Sequence, residues 1–361
     1  MTSPPHVLTP ARVLGLSGVF LAGLAVVFLL TVFLGEQAVS PRVLLEEPGS
    51  LEARIFWSLR LPHACLAALV GAGLAASGST LQGVLRNPLA DPFVLGVSGG
   101  AALGASLALA LGLGTVGDLT SGLGGGLGGG LGGGLSRLSA PALFAFAGAV
   151  AAMFFVLAAS RGQGGRAPYA ALLTGVVFNA FASAVITLLK ALSDPNRLGE
   201  LLFWLAGTLG HERAGTLVLS AALQAVAVGV MLALSGRLNL LSLGDADAAS
   251  LGVDVARTRR WLLLAASASV AGAVVLSGLI GFVGLIVPHV LRLALGPDQR
   301  LLVPLSALGG AAFLLLADLL ARMAQPLFGQ ELPVGVVTAV LGGPLFLALL
   351  HRRGRLSSSS L

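Results

Sequence analysis

Residues 86–92 read R-N-P-L-A-D-P and run directly into F-V-L-G-V-S-G-G-A-A-L-G-A at 93–105. A polar turn with two prolines thus separates two long apolar segments. Apolar chain at membrane depth tolerates Pro, Asn and charge together where the backbone leaves the helix at a functional loop. The composition around this turn agrees. Hydrophobic residues make up 56% of the chain, charged residues 10%, and the mean hydropathy is +0.96. A soluble domain carries about 25% charge. The chain is read as an all-α polytopic membrane protein, with the 86–92 turn at one face of the bilayer.

Outward from this turn, ten apolar runs have roughly the ~20-residue length that crosses a bilayer. They are 13–34, 61–83, 93–113, 140–160, 168–190, 214–235, 260–280, 281–295, 302–321 and 334–350. The runs are continuously apolar and lack the alternation of barrel strands, so about ten transmembrane helices are predicted. The first is read as a retained helix, not a cleaved signal segment. Residues 1–361 form a single transmembrane domain. With both termini in the cytoplasm, 13 of the 21 basic residues fall inside and 10 of the 15 acidic residues outside, as the positive-inside rule requires. The pI near 11.1 does not point to nucleic acid, because the arginines are scattered through short loops. The low-complexity stretch 122–135, G-L-G-G-G-L-G-G-G-L-G-G-G-L, is predicted to be a flexible outer loop without a role in transport.

Several chemistries are disfavoured. Cys65 is the one cysteine, so neither an intrachain disulfide nor a cysteine zinc site can form. The five histidines, at 6, 63, 211, 289 and 351, make no ligand pair, and no metal site is expected. Gly96–Gly100 matches G-x-S-x-G and Gly71–Ala76 matches G-x-G-x-x-A. Both lie in apolar runs, and small residues there serve close helix packing. Asp318 and Arg322 stand four apart near the end of the ninth run and are read as a structural ion pair. The one lysine, Lys190, lacks the glycine spacing of a phosphate-binding loop. The chain therefore cannot hydrolyse ATP by that route. It carries no catalytic residue, and any ATPase must be a separate polypeptide.

The longest inner loop, 236–260, contains S-L-G-D-A-D-A-A-S-L-G-V-D-V-A-R-T-R-R at 242–260. Asp245 and Asp247 suit the start of a helix. Gly252 can end it, and Asp254 can cap a second. Arg257, Arg259 and Arg260 follow at the membrane edge. Two short interfacial helices over 243–257, joined at Gly252, would make a rigid, exposed docking element.

The 86–105 stretch and this loop together resemble the FecCD permease family, the membrane subunits of ATP-driven importers for vitamin B12, iron–siderophores and haem. Within L-G-x-x-x-A-x-x-L-G-V, Leu243, Gly244, Ala248, Leu251, Gly252 and Val253 match the family's coupling-helix pattern. Asp245 and Arg257 belong to the same element. Further matches include R-L-P (60–62), S-G-S-T-L-Q-G (77–83), L-L-T-G-V-V-F-N-A (172–180), G-F-V-G-L-I-V-P-H (281–289), A-D-L-L-A-R (317–322) and E-L-P-V-G-V-V-T-A (331–339). Together they span about 58 to 353.

The resemblance implies a type II ABC importer permease in the bacterial cytoplasmic membrane. It implies a homodimer with the path on its axis, two copies of an ATPase subunit that bind ATP and Mg, and a periplasmic or lipid-anchored substrate-binding protein. Membrane lipid surrounds it, and nucleic acid is not a partner. Asn87, Leu89, Pro168 and Tyr169 fall at the family's cytoplasmic gate. Arg60 and Arg322 match positions that meet acidic residues of the binding protein. His63 stands where the family text has Arg, which implies a pH-dependent contact there. A ferric siderophore is the first expectation for the cargo, with haem and cobalamin next. The alternative is a secondary transporter driven by an ion gradient.

Overall fold

A computed structural model describes residues 10–35, 41–47, 49–114, 139–159, 167–210 and 214–358. The Gly-rich stretch 122–135 lies outside the described residues. The helices are α1 (Pro10–Phe33), α2 (Pro41–Glu46), α3 (Leu51–Ile55), α4 (Leu61–Val84), α5 (Val97–Ala110), α6 (Ala140–Ala159), α7 (Ala167–Leu192), α8 (Pro195–Ala206), α9 (Ala214–Leu243), α10 (Asp245–Ser250), α11 (Val255–Ser277), α12 (Val283–Leu295), α13 (Gln299–Met323), α14 (Gln325–Phe328) and α15 (Val334–Ser358). Among the described residues, seven helices are long and apolar enough to cross a membrane. Three shorter apolar helices, Val97–Ala110, Val283–Leu295 and Val334–Ala348, account for the rest of the ten predicted runs.

The third predicted run is shorter than its apolar text. Pro92–Leu95 form a 3₁₀ turn, and α5 begins only after Gly96, whose φ is +82°. The G-x-S-x-G match therefore straddles a helix start instead of lying within a helix. Gly100 and Gly104 of α5 rest against backbone carbonyls of Gly148 and Phe144 in α6, as close packing predicts. Gly96 instead faces Gly175 and Phe178 of α7. Gly71 rests on the backbone of Gly310, so the other false motif is also a packing seam.

Helix α4 is the centre of the bundle, packed between α13, α11, α9 and α12. A continuous π-turn, Phe56–Arg60, joins α3 to α4. Leu61 N–H bonds to Phe56 O, and the wider turn precedes Pro62, which has no N–H to offer. The S-G-S-T-L-Q-G motif supplies the buried polar face of α4. Ser77 Oγ donates to Ala266 O (3.2 Å), Ser79 Oγ to Gln299 Oε1 (3.1 Å) and Gln82 Nε2 to Leu285 O (3.2 Å). Each bond crosses to a different helix, so one motif stitches α4 to α11, α13 and α12. In an apolar surround such groups need partners, and supplying them fixes the helix register.

Contacts sort the chain into two ends. At one end, the turn after α4, the α9–α11 connection and the α12–α13 connection meet. There Asn239 Nδ2 donates to Asp298 Oδ1 (2.6 Å) and Gln299 N–H to Asn239 Oδ1 (2.8 Å). At the other end, the end of α1, the start of α4 and the end of α13 converge around Asp318.

Candidate functional site

The site at the first end begins with the stop of α4. Arg86 N–H bonds to Gly83 O (3.3 Å) and Asn87 N–H to Gln82 O (3.1 Å). This is the double bond of a Schellman stop, whose left-handed residue is usually Gly. Here it is Arg86, with φ of +50°. A non-Gly residue costs about 1–2 kcal/mol there, and the side chain offsets it. Arg86 Nε donates to Leu241 O at the end of α9 (2.8 Å), and its Nη2 pairs with Asp245. The rest of the turn is self-supporting. Leu89 N–H donates to Asn87 Oδ1 (2.9 Å) and Phe93 N–H to Asp91 Oδ1 (2.8 Å).

The α9–α11 connection closes in the same manner. Gly244 (φ +142°) separates α9 from α10. Gly252 N–H bonds to Ala249 O and Val253 N–H to Ala248 O, each at 3.0 Å, with Gly252 at φ +83°. Asp254 Oδ1 then accepts from Arg257 N–H (2.9 Å) and caps α11. The caps fall at the predicted residues, but the second helix is not a short interfacial piece. It is the first turn of the membrane-spanning α11, so anything that moves α10 acts on a span that starts after only four intervening residues. Ala248 and Val253 are buried, whereas Leu243 and Leu251 are 62% and 58% exposed. The element is thus anchored by small apolar residues and presents large ones outward.

Asp245 joins the two halves of the site. Besides Arg86, it accepts from Arg259 Nη2 through both carboxylate oxygens (2.8 and 3.0 Å). Partial burial pushes its carboxyl up, but the bonds and charges of Arg259 and Arg86 outweigh this and hold it below the usual range. One carboxylate therefore links the turn after α4, the first residue of α10 and the base of α11. Nothing in the linear sequence marks Arg86 and Arg259 as partners of one carboxylate. Arg86 and Asp245 are 159 positions apart, and no spacing pattern reports such a pair.

The predicted gate residues are placed as follows. Asn87 organises the turn and Leu89 is 44% exposed. Pro168 and Tyr169 open α7, and their side chains lie outside the described residues. Asn179 of α7 donates through Nδ2 to Phe93 O (2.7 Å), and Gly175 rests on the backbone of Val94 and Leu95. The L-L-T-G-V-V-F-N-A motif therefore seats α7 on the 3₁₀ turn that follows R-N-P-L-A-D-P.

At the opposite end, Arg60, His63 and Arg322 are neighbours. Arg60 Nη1 reaches Val32 O and Phe33 O at the end of α1 (3.5 Å each). His63 Nε2 donates to Asp318 Oδ1 (2.8 Å), Arg322 Nη2 lies 2.9 Å from Asp318 Oδ2, and Arg322 Nη2 also donates to Thr31 O (3.1 Å). The His63 and Arg322 side chains are only 17% and 18% exposed, and that of Asp318 is 2% exposed. The Asp318–Arg322 pair forms as its spacing predicts. His63 joining it from α4 was not foreseen, and this turns the imidazole inward.

A model of the FecCD transport family matches residues 23–352. The chain is 43% identical, over 83% of its length and 74% of the relative's, to the cobalamin import system permease protein BtuC of Halobacterium salinarum. It is 38% identical, over 83% and 84% respectively, to the hemin transport system permease protein HmuU of Yersinia pestis. Among solved structures, it superposes with a TM-score of 0.76 and 30% identity on a transporter assigned to the metal-chelate type of ABC transporter, in an inward-facing conformation. That likeness covers 94% of this chain and 99% of the other.

Proposed function

The chain belongs to the FecCD transport family and is a multi-pass protein of the cytoplasmic membrane, and we propose that it is the permease subunit of an ATP-driven importer for a bulky metal chelate. The proposed cargo class spans ferric siderophores, haem and cobalamin. Two copies of the chain would enclose the path. A separate ATPase subunit, also in two copies, binds ATP and Mg. A binding protein delivers the chelate to the end that carries Arg60.

The observation that carries this reading is the carboxylate of Asp245 shared by Arg86 and Arg259. Leu243 and Leu251 stand exposed on either side of α10, where a cleft of an ATPase subunit can take them. Closure of the ATPase moves α10, and the ion pairs pass that movement both to the turn holding Asn87 and Leu89 and to the base of α11. No bond is made or broken on this chain. Binding energy released elsewhere shifts the population between inward- and outward-open arrangements. The ion-driven alternative needs a carboxylate free to bind an ion within the spans. Asp318 is instead committed to His63 and Arg322.

Co-expression with candidate ATPase and binding-protein genes tests the proposal. The expected result is a complex, stable in mild detergent, whose ATP hydrolysis rises when the binding protein carries one particular chelate. Uptake that survives ATP depletion and collapses with an ionophore would overturn it.

A further inference from the structure

Beside the coupling element, and sharing Gly252, Val253 and Arg257 with it, a groove of about 650 Å³ runs between α9 and α11. Its wall is formed by Val230, Ala233 and Leu234 of α9 and by Trp261 of α11, and its mouth carries Arg237 and Arg257. Both arginines are exposed, and neither side chain is in an ion pair among the described residues. This separates them from Arg86 and Arg259 nearby, which share the carboxylate of Asp245. Asp254 also lines the groove; its Oδ1 accepts the Arg257 backbone N–H (2.9 Å), and its charge offsets one of the two arginines, which leaves the mouth with one net positive charge.

Depth identifies the occupant. Asn239, two residues on from Arg237, bonds to the charged α12–α13 connection at the polar end of the bundle, and Arg237 is assigned to the membrane–water boundary on that basis. A helix rises 1.5 Å per residue, so Val230 lies about 10 Å deeper than Arg237. By the same rise, Trp261 lies about 6 Å deeper than Arg257. The groove thus has two cations at headgroup level and an apolar wall with an aromatic at acyl-chain level. An apolar wall about 10 Å below the two cations suits a lipid, which places phosphate and chain at these two heights. We propose that this groove is a binding site for an anionic phospholipid, with its phosphate on Arg237 and Arg257 and an acyl chain along Val230, Ala233, Leu234 and Trp261.

The test uses the assembled permease–ATPase complex in nanodiscs of phosphatidylcholine doped with brominated phosphatidylglycerol or, separately, brominated phosphatidylcholine. The difference between the native complex and Trp261→Phe isolates the emission of Trp261. Two interfacial arginines offset by Asp254 leave one net positive charge, which gives about a fivefold preference for an anionic headgroup. Trp261 should therefore be quenched by the brominated anionic lipid at roughly a fifth of the mole fraction needed for the neutral one. Arg237→Gln with Arg257→Gln should abolish that preference. Arg237→Lys with Arg257→Lys should keep it, which separates charge from folding. Equal quenching by both lipids, or a preference that survives the glutamine pair, would overturn the proposal. So would an unquenched Trp261 in the assembled complex, because a protein subunit would then fill the groove.

Discussion

Asp245 is the residue on which the cytoplasmic end depends. It opens α10 and holds Arg86 in a left-handed backbone conformation that favours Gly. Asp245→Ala would leave Arg86 strained and both guanidiniums without their carboxylate. Uptake per ATP hydrolysed should fall by about tenfold or more, since charge-assisted links to two arginines, each of about 1.5–3 kcal/mol, are lost. Basal hydrolysis should persist, and Asp245→Glu should recover part of the coupling. Parallel uptake and phosphate-release assays in proteoliposomes check this. The pH dependence follows from the lowered carboxyl pKa. The native state favours the ionised form, so the contribution is complete above the ordinary aspartate value of about 3.9 and disappears as pH falls through the lower native value. The Asp245-dependent part of thermal stability should therefore be flat from pH 8 to about 5 and lost only in strong acid. A loss centred near neutrality would contradict the ion-pair geometry. The aspartate's place at a helix start was readable from its neighbours. Its partners were not, because Arg86 is distant in sequence and Arg259 sits in an unremarkable basic cluster.

Among the elements, α10 and its stop at Gly252 matter most. Local chemistry made this element legible. A glycine after a short acidic-headed segment signals a left-handed stop, and the following aspartate signals a cap. Both occur where expected, with Gly252 at φ +83° and Asp254 capping α11. Tertiary structure changed the meaning of the second helix, which continues for 23 residues through the bundle. A Cβ at Gly252 would meet open space, so substitution acts through the backbone alone. Gly252→Ala should cost about 1 kcal/mol locally, and Gly252→Asn less, because Asn tolerates the left-handed region. Both should assemble with the ATPase, and uptake per ATP should fall in the order Gly, Asn, Ala, then Val. Unchanged uptake in Gly252→Val would remove α10 from the coupling path.

At the scale of the whole molecule, the two ends of the bundle differ in charge and in contacts. The cytoplasmic assignment of the end holding Asp245 predicts which residues a membrane-impermeant thiol reagent reaches. In a Cys65→Ala background, Leu251→Cys, at a position 58% exposed, should label only in inside-out vesicles. Leu327→Cys, at a position 83% exposed in α14, should label only in right-side-out vesicles. Reversed labelling would invert the topology and place the binding protein and the ATPase on the wrong faces.

The amino-acid sequence by itself determined the number of apolar helices, the positions of the cytoplasmic turns and the caps of α10 and α11. These features depend on run length, φ preference and neighbouring side chains, all of which are local. Only the tertiary structure decided that Arg86 and Arg259 share one carboxylate and that His63 faces Asp318. It alone showed that α5 starts late behind a 3₁₀ turn, and that Arg237 of α9 and Arg257 of α11 flank one groove. Those pairings join residues tens to hundreds of positions apart. Their energy comes from proximity and burial, and neither quantity has a signature in the linear order of residues.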